Sequence, residues 1–244
     1  MLEMNESQRI QAVFMKRRNG FAQRDYLNSF EPGKVFLEQQ LQRQFLAALK
    51  DEGLHHRHTL EHSKILDVGC AHGARLMDLV TYGAPPENCY GIDLVSYNLE
   101  LGKRRYPNLN LFLGDGSSLP FGNDTFAMVY AFTLFTSILD PEMKAGVARE
   151  IVRVMKPDGV FFWWDFFITP PRSRDPRGVG KAEIMSLFPG CRIKLKRVTL
   201  ALPLALMLAP YAWLLCLMLE KLPFLCTHYL GTIRKIAPAA APGR

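Results

Sequence analysis

Short apolar runs alternate with amphipathic stretches along most of this chain. Apolar segments ending in small or acidic residues fall at Lys64–Val68, Cys89–Leu94, Asn110–Leu113, Thr125–Ala131 and Val160–Phe167, and each has the length and bounding residues of a strand. Helical spacing separates them, with one helix starting near Ala74 and another over Pro141–Met155. Lys156-Pro157-Asp158-Gly159 then predicts a proline-fixed turn before the fifth strand. Ahead of the first strand, Ile10, Val13 and Phe14, and again Val35, Leu41, Phe45, Leu46 and Leu49, recur at helical spacing. They predict two leader helices packed on the sheet, with Pro32 suited to a helix start. After Gly178 the pattern gives a short helix to Phe188, a Pro189-Gly190 turn, a strand over Cys191–Leu200 and a last strand over Cys226–Ile236. Alternation of this kind predicts an α/β, doubly wound, mostly parallel sheet of seven strands.

One block breaks the rhythm. From Leu200 to Leu219 the sequence LALPLALMLAPYAWLLCLML carries no charge, and about twenty apolar residues suffice to span a bilayer. A single span would leave Cys226–Ile236 across the membrane from the sheet that it completes, and Pro203 and Pro210 divide the block into short pieces. The expectation is therefore a helical, apolar lid insertion at 201–223 over the active site. Partial insertion into a membrane surface, helped by Tyr211, Trp213 and neighbouring basic residues, is the alternative. The domain reading is an N-terminal helical cap, 1–63, followed by one catalytic domain, 64–244.

The chemistry starts at Asp67-Val68-Gly69-Cys70-Ala71-His72-Gly73, where the first strand stops in a small-residue turn and reopens as a helix. Gly69 and Gly73 reach backbone angles closed to other residues, Ala71 keeps the loop thin, and the following helix aims its positive end at the turn. Backbone N–H groups are expected to approach a nucleotide-like ligand there. The turn alone fits either a dinucleotide fingerprint, loosely matched by Gly69, Ala71 and Ala74, or a G-x-A-x-G turn for S-adenosylmethionine. Further along, Asp93 ends the second strand at the spacing of a ribose-binding carboxylate, and the third strand runs into Gly114-Asp115-Gly116.

Taken together, DVGCAHG, GIDL, GDGSSLPF and VMKPDG make the region from about Lys64 to Phe167 resemble the class I S-adenosylmethionine-dependent methyltransferases. The resemblance implies that strand seven is antiparallel and inserted between strands five and six. It also implies S-adenosylmethionine as cofactor, with Asp67 and the turn from Gly69 through Cys70 and Ala71 to Gly73 on its methionine part. Asp93 and Leu94 would take the ribose, Asp115 and Gly116 the adenine edge, and Thr133 would stand at the mouth beside the methyl group. Two positions depart from the family pattern. Ala71 replaces the commoner glycine, tolerable with ordinary backbone angles, and Ala127 stands where many relatives carry an acid.

A hydroxyl acceptor needs a base within hydrogen-bonding reach of its proton. Asp165, near the end of strand five, and His228, near the start of strand seven, are the catalytic candidates, with Tyr26 and Arg24 in the leader behind them. Trp163 and Trp164 alternate, so one enters the core and the other lines the acceptor pocket. His55, His56, His58 and His62 precede strand one and belong to the edge opposite the crevice, so no metal site is proposed.

The net charge of +7 is concentrated after strand five, where Arg172, Arg174, Arg177, Lys181, Arg192, Lys194, Lys196 and Arg197 face only Asp175 and Glu183. A cationic rim on the crevice would favour an anionic acceptor; the run lacks interleaved aromatics, so nucleic acid is not expected as a partner. Five unpaired-looking cysteines and the absence of an apolar leader run point to a reducing cytoplasm, with peripheral membrane contact through 201–223. The expected activity is methyl transfer, at oxygen, to a small-molecule, glycolipid or natural-product acceptor that is lipid-linked or otherwise amphipathic. The alternatives are N- or C-methylation, or a non-catalytic membrane-associated protein that keeps the fold.

Overall fold

The computed structural model describes residues 4–22, 30–169 and 175–236. Its elements run α1 (Glu6–Ala22), α2 (Pro32–Asp51), α3 (Arg57–Glu61), β1 (Ile65–Val68), α4 (Ala74–Thr81), β2 (Cys89–Asp93), α5 (Ser96–Arg105), β3 (Asn110–Leu113) and β4 (Phe126–Phe132). They continue with α6 (Pro141–Val154), β5 (Met155–Phe166), α7 (Lys181–Leu187), β6 (Cys191–Leu200), α8 (Leu202–Leu208), α9 (Trp213–Leu219) and β7 (Cys226–Lys235).

The strands form one sheet in the order β3-β2-β1-β4-β5-β7-β6. The pairs from β3 to β5 are parallel, and β7 runs antiparallel to both β5 and β6. The direction of winding reverses between β1 and β4, the switch point at whose carboxyl ends open α/β sheets bind ligands. Helices cover both faces, which is why β1 is buried along its whole length and reads as a continuous apolar run. On one face Leu66, Val129, Phe161 and Trp163 pack with Phe135, Ile151 and Phe188. On the other Ile65, Met128, Tyr130 and Phe162 pack with Phe45, Leu49 and Leu76.

The predicted turn at Lys156–Gly159 is present inside β5 rather than ahead of it. Pairing with β4 jumps from Phe126↔Met155 to Met128↔Val160, so the four residues bulge out of the ladder and Met155 already belongs to the strand.

The apolar block folds as α8 and α9, seven residues each, and among the described residues no helix is long and apolar enough to cross a membrane. Pro203 lies in the first turn of α8, where its missing N–H costs nothing. The inner residues Ala205, Ala209 and Cys216 join Phe36 and Leu200 in a separate small core, closed by an edge-to-face pair of Phe36 and Trp213 at 5.2 Å. Gly33 permits this packing, since a Cβ there would stand 2.6 Å from the backbone of Leu206. The insertion is thus seated on α2 at the end of β6; α2 lies against one face of the sheet through Phe45 and Leu49, and α1 joins the core on the other through Ile10 and Phe14.

Candidate functional site

A cleft, partly open to solvent, lies across the carboxyl ends of β1, β2 and β4. Its floor is the turn after β1. Gly69 and Gly73 have φ of 81° and 82°, and Ala71 has φ of 48°, so the alanine does not keep the ordinary angles expected of it. An L-residue in the left-handed region carries steric strain, and the loop geometry imposes it here. The turn's N–H groups are directed inward, another departure from expectation. Those of Gly69 and Cys70 donate to the Ile92 carbonyl at 2.8 and 3.1 Å, and that of Ala71 donates to Asp93 Oδ2 at 2.8 Å. The second Asp93 oxygen accepts the Val95 N–H at 2.8 Å. Asp93 therefore ties the end of β2 to the turn while lining the cleft. Burial raises its pKa against the lowering effect of these donors. The Asn98 side chain acts on the same carboxyl in the same lowering direction, and the carboxylate's four lone-pair sites leave acceptor capacity beyond these three groups.

The opposite wall is the segment after β4. Thr133, β-branched and at φ 55°, is held there by its N–H to the Trp164 carbonyl at 2.8 Å and its hydroxyl to the Phe132 carbonyl at 2.7 Å. Such an outlier persists only where its surroundings over-determine it, and it marks the cleft's mouth. Asp165 supplies that support from below. It is buried, accepts the Thr136 hydroxyl at 2.5 Å and the Thr136 N–H at 3.1 Å, and its pKa is pushed up to about 7 by burial. It does not line the cleft, so its geometry is that of a loop anchor rather than of a base at the acceptor. His228 stacks on Trp164 at 4.4 Å, and Nδ1 meets the Thr227 hydroxyl at 2.9 Å. Burial pulls its pKa down to about 3, which makes it a weak proton acceptor, and it too is absent from the cleft lining. Trp163 is in the core, whereas Trp164 is partly exposed and donates to Thr199 Oγ1 at 3.1 Å. Tyr26, Arg24, Arg172 and Arg174 lie outside the described residues.

Asp67 is placed below the turn, not in it. It is buried beside Tyr130 and raised to about 8 by burial, an effect larger than the opposing influence of the Tyr130 hydroxyl. That hydroxyl lies near enough to act on the carboxyl, yet it completes no hydrogen bond of normal geometry. Cys70 packs on Gly91, where a Cβ would come within 2.7 Å of its sulfur, and burial raises its thiol pKa. Among the remaining expectations Leu94 and Gly116 line the cleft. The Asp115 carboxylate does not, because Ser7 donates to it at 2.8 Å and Ser117 at 2.7 Å. Of the β6 cations, Lys194 and Lys196 reach to Glu52 and Gln44 on the α2 side, and Arg197 lies over the Phe167 ring at 5.0 Å.

The lid is α1. Ile10 and Phe14 close the cleft, and no residue of 201–223 lines it, because the insertion's inner face is used up on α2. A set of polar contacts fastens α1 across the opening: Arg9 to Asp175 and to the Ser137 carbonyl, both at 2.6 Å, Gln11 to the Leu94 carbonyl at 2.8 Å, and Ser7 to Asp115. Sequence reasoning missed these residues as site residues. Their signal was present in the helical spacing of Ile10, Val13 and Phe14, but nothing local told the crevice edge from the sheet face.

The family model described as a methyltransferase domain matches residues 65–159. A sterol 4-C-methyltransferase of Caenorhabditis elegans is 30% identical over 139 residues, covering 52% of this chain and 39% of that protein. The phthiotriol/phenolphthiotriol dimycocerosates methyltransferase of Mycobacterium tuberculosis is 33% identical over 104 residues, covering 42% and 37%. The chain thus spans under two fifths of the length of these curated relatives. Among solved structures, an S-adenosylmethionine-dependent methyltransferase from Mesorhizobium loti matches 78% of this chain and 96% of its own, with a TM-score of 0.57 at 15% identity. A putative sarcosine dimethylglycine methyltransferase from Galdieria sulphuraria matches 78% and 83%, also with a TM-score of 0.57 at 15% identity. The motif set, the sheet order with its antiparallel β7 and the cleft at the switch point agree with these likenesses: residues 65–159 match a methyltransferase domain, and the chain has the fold of solved S-adenosylmethionine-dependent methyltransferases.

Proposed function

We propose that this protein methylates a lipophilic small molecule at the oxygen of an acidic hydroxyl, such as a phenol or enol. One observation carries the reading: the cleft is walled by Ile10, Phe14, Leu94, Phe132, Leu134 and Met143, and Asp93 is the sole charged group among its described lining residues. Such a cavity favours an apolar acceptor. The sterol and dimycocerosate acceptors in the relatives' names support the same class.

In this reading Asp93 uses its open acceptor positions for the ribose hydroxyls, and the Gly69–Gly73 turn receives the methionine part. Gly69 gives the needed clearance, since a Cβ there would already stand 3.0 Å from Leu134. Leu94, Val95 and Ile10, with Gly114 and Gly116, would hold the adenine, while Asp115 orders that loop and receives α1. The bound cofactor supplies an electrophilic methyl group. Phe132, Thr133 and Leu134 position the acceptor atom in line with it, and α1 excludes water. With Asp165 committed to Thr136, His228 outside the cleft and Asp93 assigned to the ribose, this reading leaves no described side chain to take a proton, and it fits an acceptor that ionises readily by itself.

The sterol C-methyltransferase relatives favour a second reading, methyl transfer to carbon. Incubating the protein with radiolabelled S-adenosylmethionine and a lipid extract, followed by mass spectrometry of the labelled product, separates the two. A methyl ether or ester supports the proposal, and a new carbon–carbon bond replaces it with the second reading. Cofactor binding without labelling of any lipid fraction rejects both in favour of a non-catalytic role.

A further inference from the structure

The segment that interrupted the sequence pattern has an outer face with no polar counterpart. Leu206, Met207, Tyr211, Leu214, Met218 and Phe224 are all exposed, Tyr211 at 91%, Leu214 at 75% and Phe224 at 73%. The inner face of α8 and α9 is equally apolar, through Ala205, Ala209 and Cys216. Helices that are apolar all round are stable only between two apolar phases, and here the protein provides one. The second has to come from outside.

Charge around the patch says what it is. Lys34 begins α2 beside α8, Arg43 and Lys221 flank the end of α9, and Lys196 and Arg197 stand at the end of β6, all exposed. Glu220 is the one acidic residue between Leu200 and Cys226 in the sequence, and it is buried, paired with Arg43 at 2.9 Å and Lys221 at 3.1 Å. The apolar face has no exposed carboxylate of its own, and the cations on its border outnumber the nearby α2 carboxylates, Glu31 at the N-cap beside Lys34 and Glu38 paired with Arg75. A protein interface of this breadth carries directed polar contacts, roughly one hydrogen bond per 100–200 Å². Here, apart from Lys221 on the border, the Tyr211 phenol is the lone polar side chain among the exposed residues of the segment. Fluid hydrocarbon asks for no direction, anionic headgroups match a cationic border, and a tyrosine at the tip suits the interfacial layer.

We infer that α8, α9 and the turn at Pro223–Leu225 form a monotopic membrane anchor that enters the interface of an anionic lipid leaflet. The topology gives this a consequence. The insertion joins the carboxyl end of β6, parallel to β5, to the start of β7, so it leaves the sheet at the same edge as the cofactor cleft. Docking turns that edge toward the leaflet. The inference stands on this surface alone and does not depend on the acceptor proposed above.

Co-sedimentation of the full chain with phosphatidylcholine vesicles, with and without phosphatidylglycerol, tests it. Bound protein is expected to rise at least about tenfold with the anionic lipid, to fall with added salt, and to show a blue shift of tryptophan fluorescence. The double variant L214E/M218E should lose at least about tenfold of that binding, and K34E/K221E should lose chiefly the anionic-lipid enhancement. Both should keep their binding of S-adenosylhomocysteine, which shows that the domain is folded and keeps this result separate from any failure of the proposed activity. Wild-type protein that ignores both vesicle types overturns the inference. So does vesicle binding unaffected by L214E/M218E, or a self-association abolished by that variant without any lipid binding, which would assign the face to a second copy.

Discussion

Ala71 sits at φ 48° in a turn whose neighbours Gly69 and Gly73 occupy the same region without a Cβ penalty. Replacing it with glycine, the commoner family residue, relieves about 1 kcal/mol of steric strain against a smaller loss through the unfolded chain. Ala71→Gly should therefore be neutral to stabilising by up to about 1 kcal/mol, read as an upward shift of the denaturant midpoint without a change in slope. A clear loss of stability would show that the methyl group makes contacts worth more than the strain. Asp93 carries the opposite expectation. Its two oxygens hold the Ala71 and Val95 N–H groups and also face the cleft. Asp93→Ala should weaken S-adenosylhomocysteine binding by at least about tenfold in calorimetry, since hydrogen bonds to a charged group contribute about 1.5–3 kcal/mol. Asp93→Asn should recover part of the fold stability but little of the affinity, because only one oxygen remains an acceptor. Affinity unchanged in both variants would remove Asp93 from the cofactor site.

Helix α1 illustrates what a pattern reveals and what it conceals. Periodicity placed a helix at Ile10, Val13 and Phe14, and the structure has it, yet its role as the cover of the cleft depends on Arg9 and Ser7 reaching residues more than a hundred positions away. No local signal encodes such distances. By contrast the turn after β1, the acidic end of β2 and the glycines after β3 were legible because backbone geometry forces small or acidic residues there. Asp165 shows the remaining gap: its position at the end of β5 was correct, but burial and the Thr136 hydroxyl, both tertiary facts, decided its role. If α1 acts as a latch, Arg9→Ala, which cuts the contacts to Asp175, Glu6 and the Ser137 carbonyl, should speed release of S-adenosylhomocysteine severalfold in stopped-flow measurements. These contacts are partly solvent-exposed, so little change in global stability is expected. Gly33→Ala tests the neighbouring junction between α2 and α8. Its Cβ would meet backbone atoms of Ala205 and Leu206 at 2.6–2.7 Å, which no side-chain rotation relieves. A loss of about 1–3 kcal/mol in equilibrium unfolding is expected, with cofactor affinity retained.

Two buried carboxyls on opposite faces of the sheet tie the stability of the fold to pH. Asp67 and Asp165 have pKa values pushed up to about 8 and about 7, in both cases mainly by burial. In the unfolded chain each returns to the ordinary range near 3.9. Between that value and their native pKa values the folded state holds more protons than the unfolded one, so their contribution is full at acid pH and is lost as pH rises through about 7 to 8. This is the reverse of a salt-bridged aspartate, whose contribution disappears in acid. Glu6 and Glu52 belong to that second kind, since arginine partners hold both below the usual carboxylate range, and their stabilisation fades only as pH falls through that range. The two opposing sets place the stability maximum on the acid side of neutrality, above the titration of the paired glutamates and below that of the buried aspartates. Urea unfolding from pH 5 to pH 8.5 should show a decline that runs across this range and levels off above about 8, and that Asp67→Asn and Asp165→Asn each reduce. Asp67→Asn is the sharper test, because Asp67 has no completed hydrogen bond to the Tyr130 hydroxyl to lose, whereas Asp165→Asn also weakens the anchor of the Thr133–Ser137 wall. An Asp67→Asn profile as steep as that of the wild type would mean that this carboxyl is ionised in the folded protein at neutral pH. It would then need a positive partner where the structure puts Tyr130, Cys70, the like charge of Asp93 and the distant Arg75 around it.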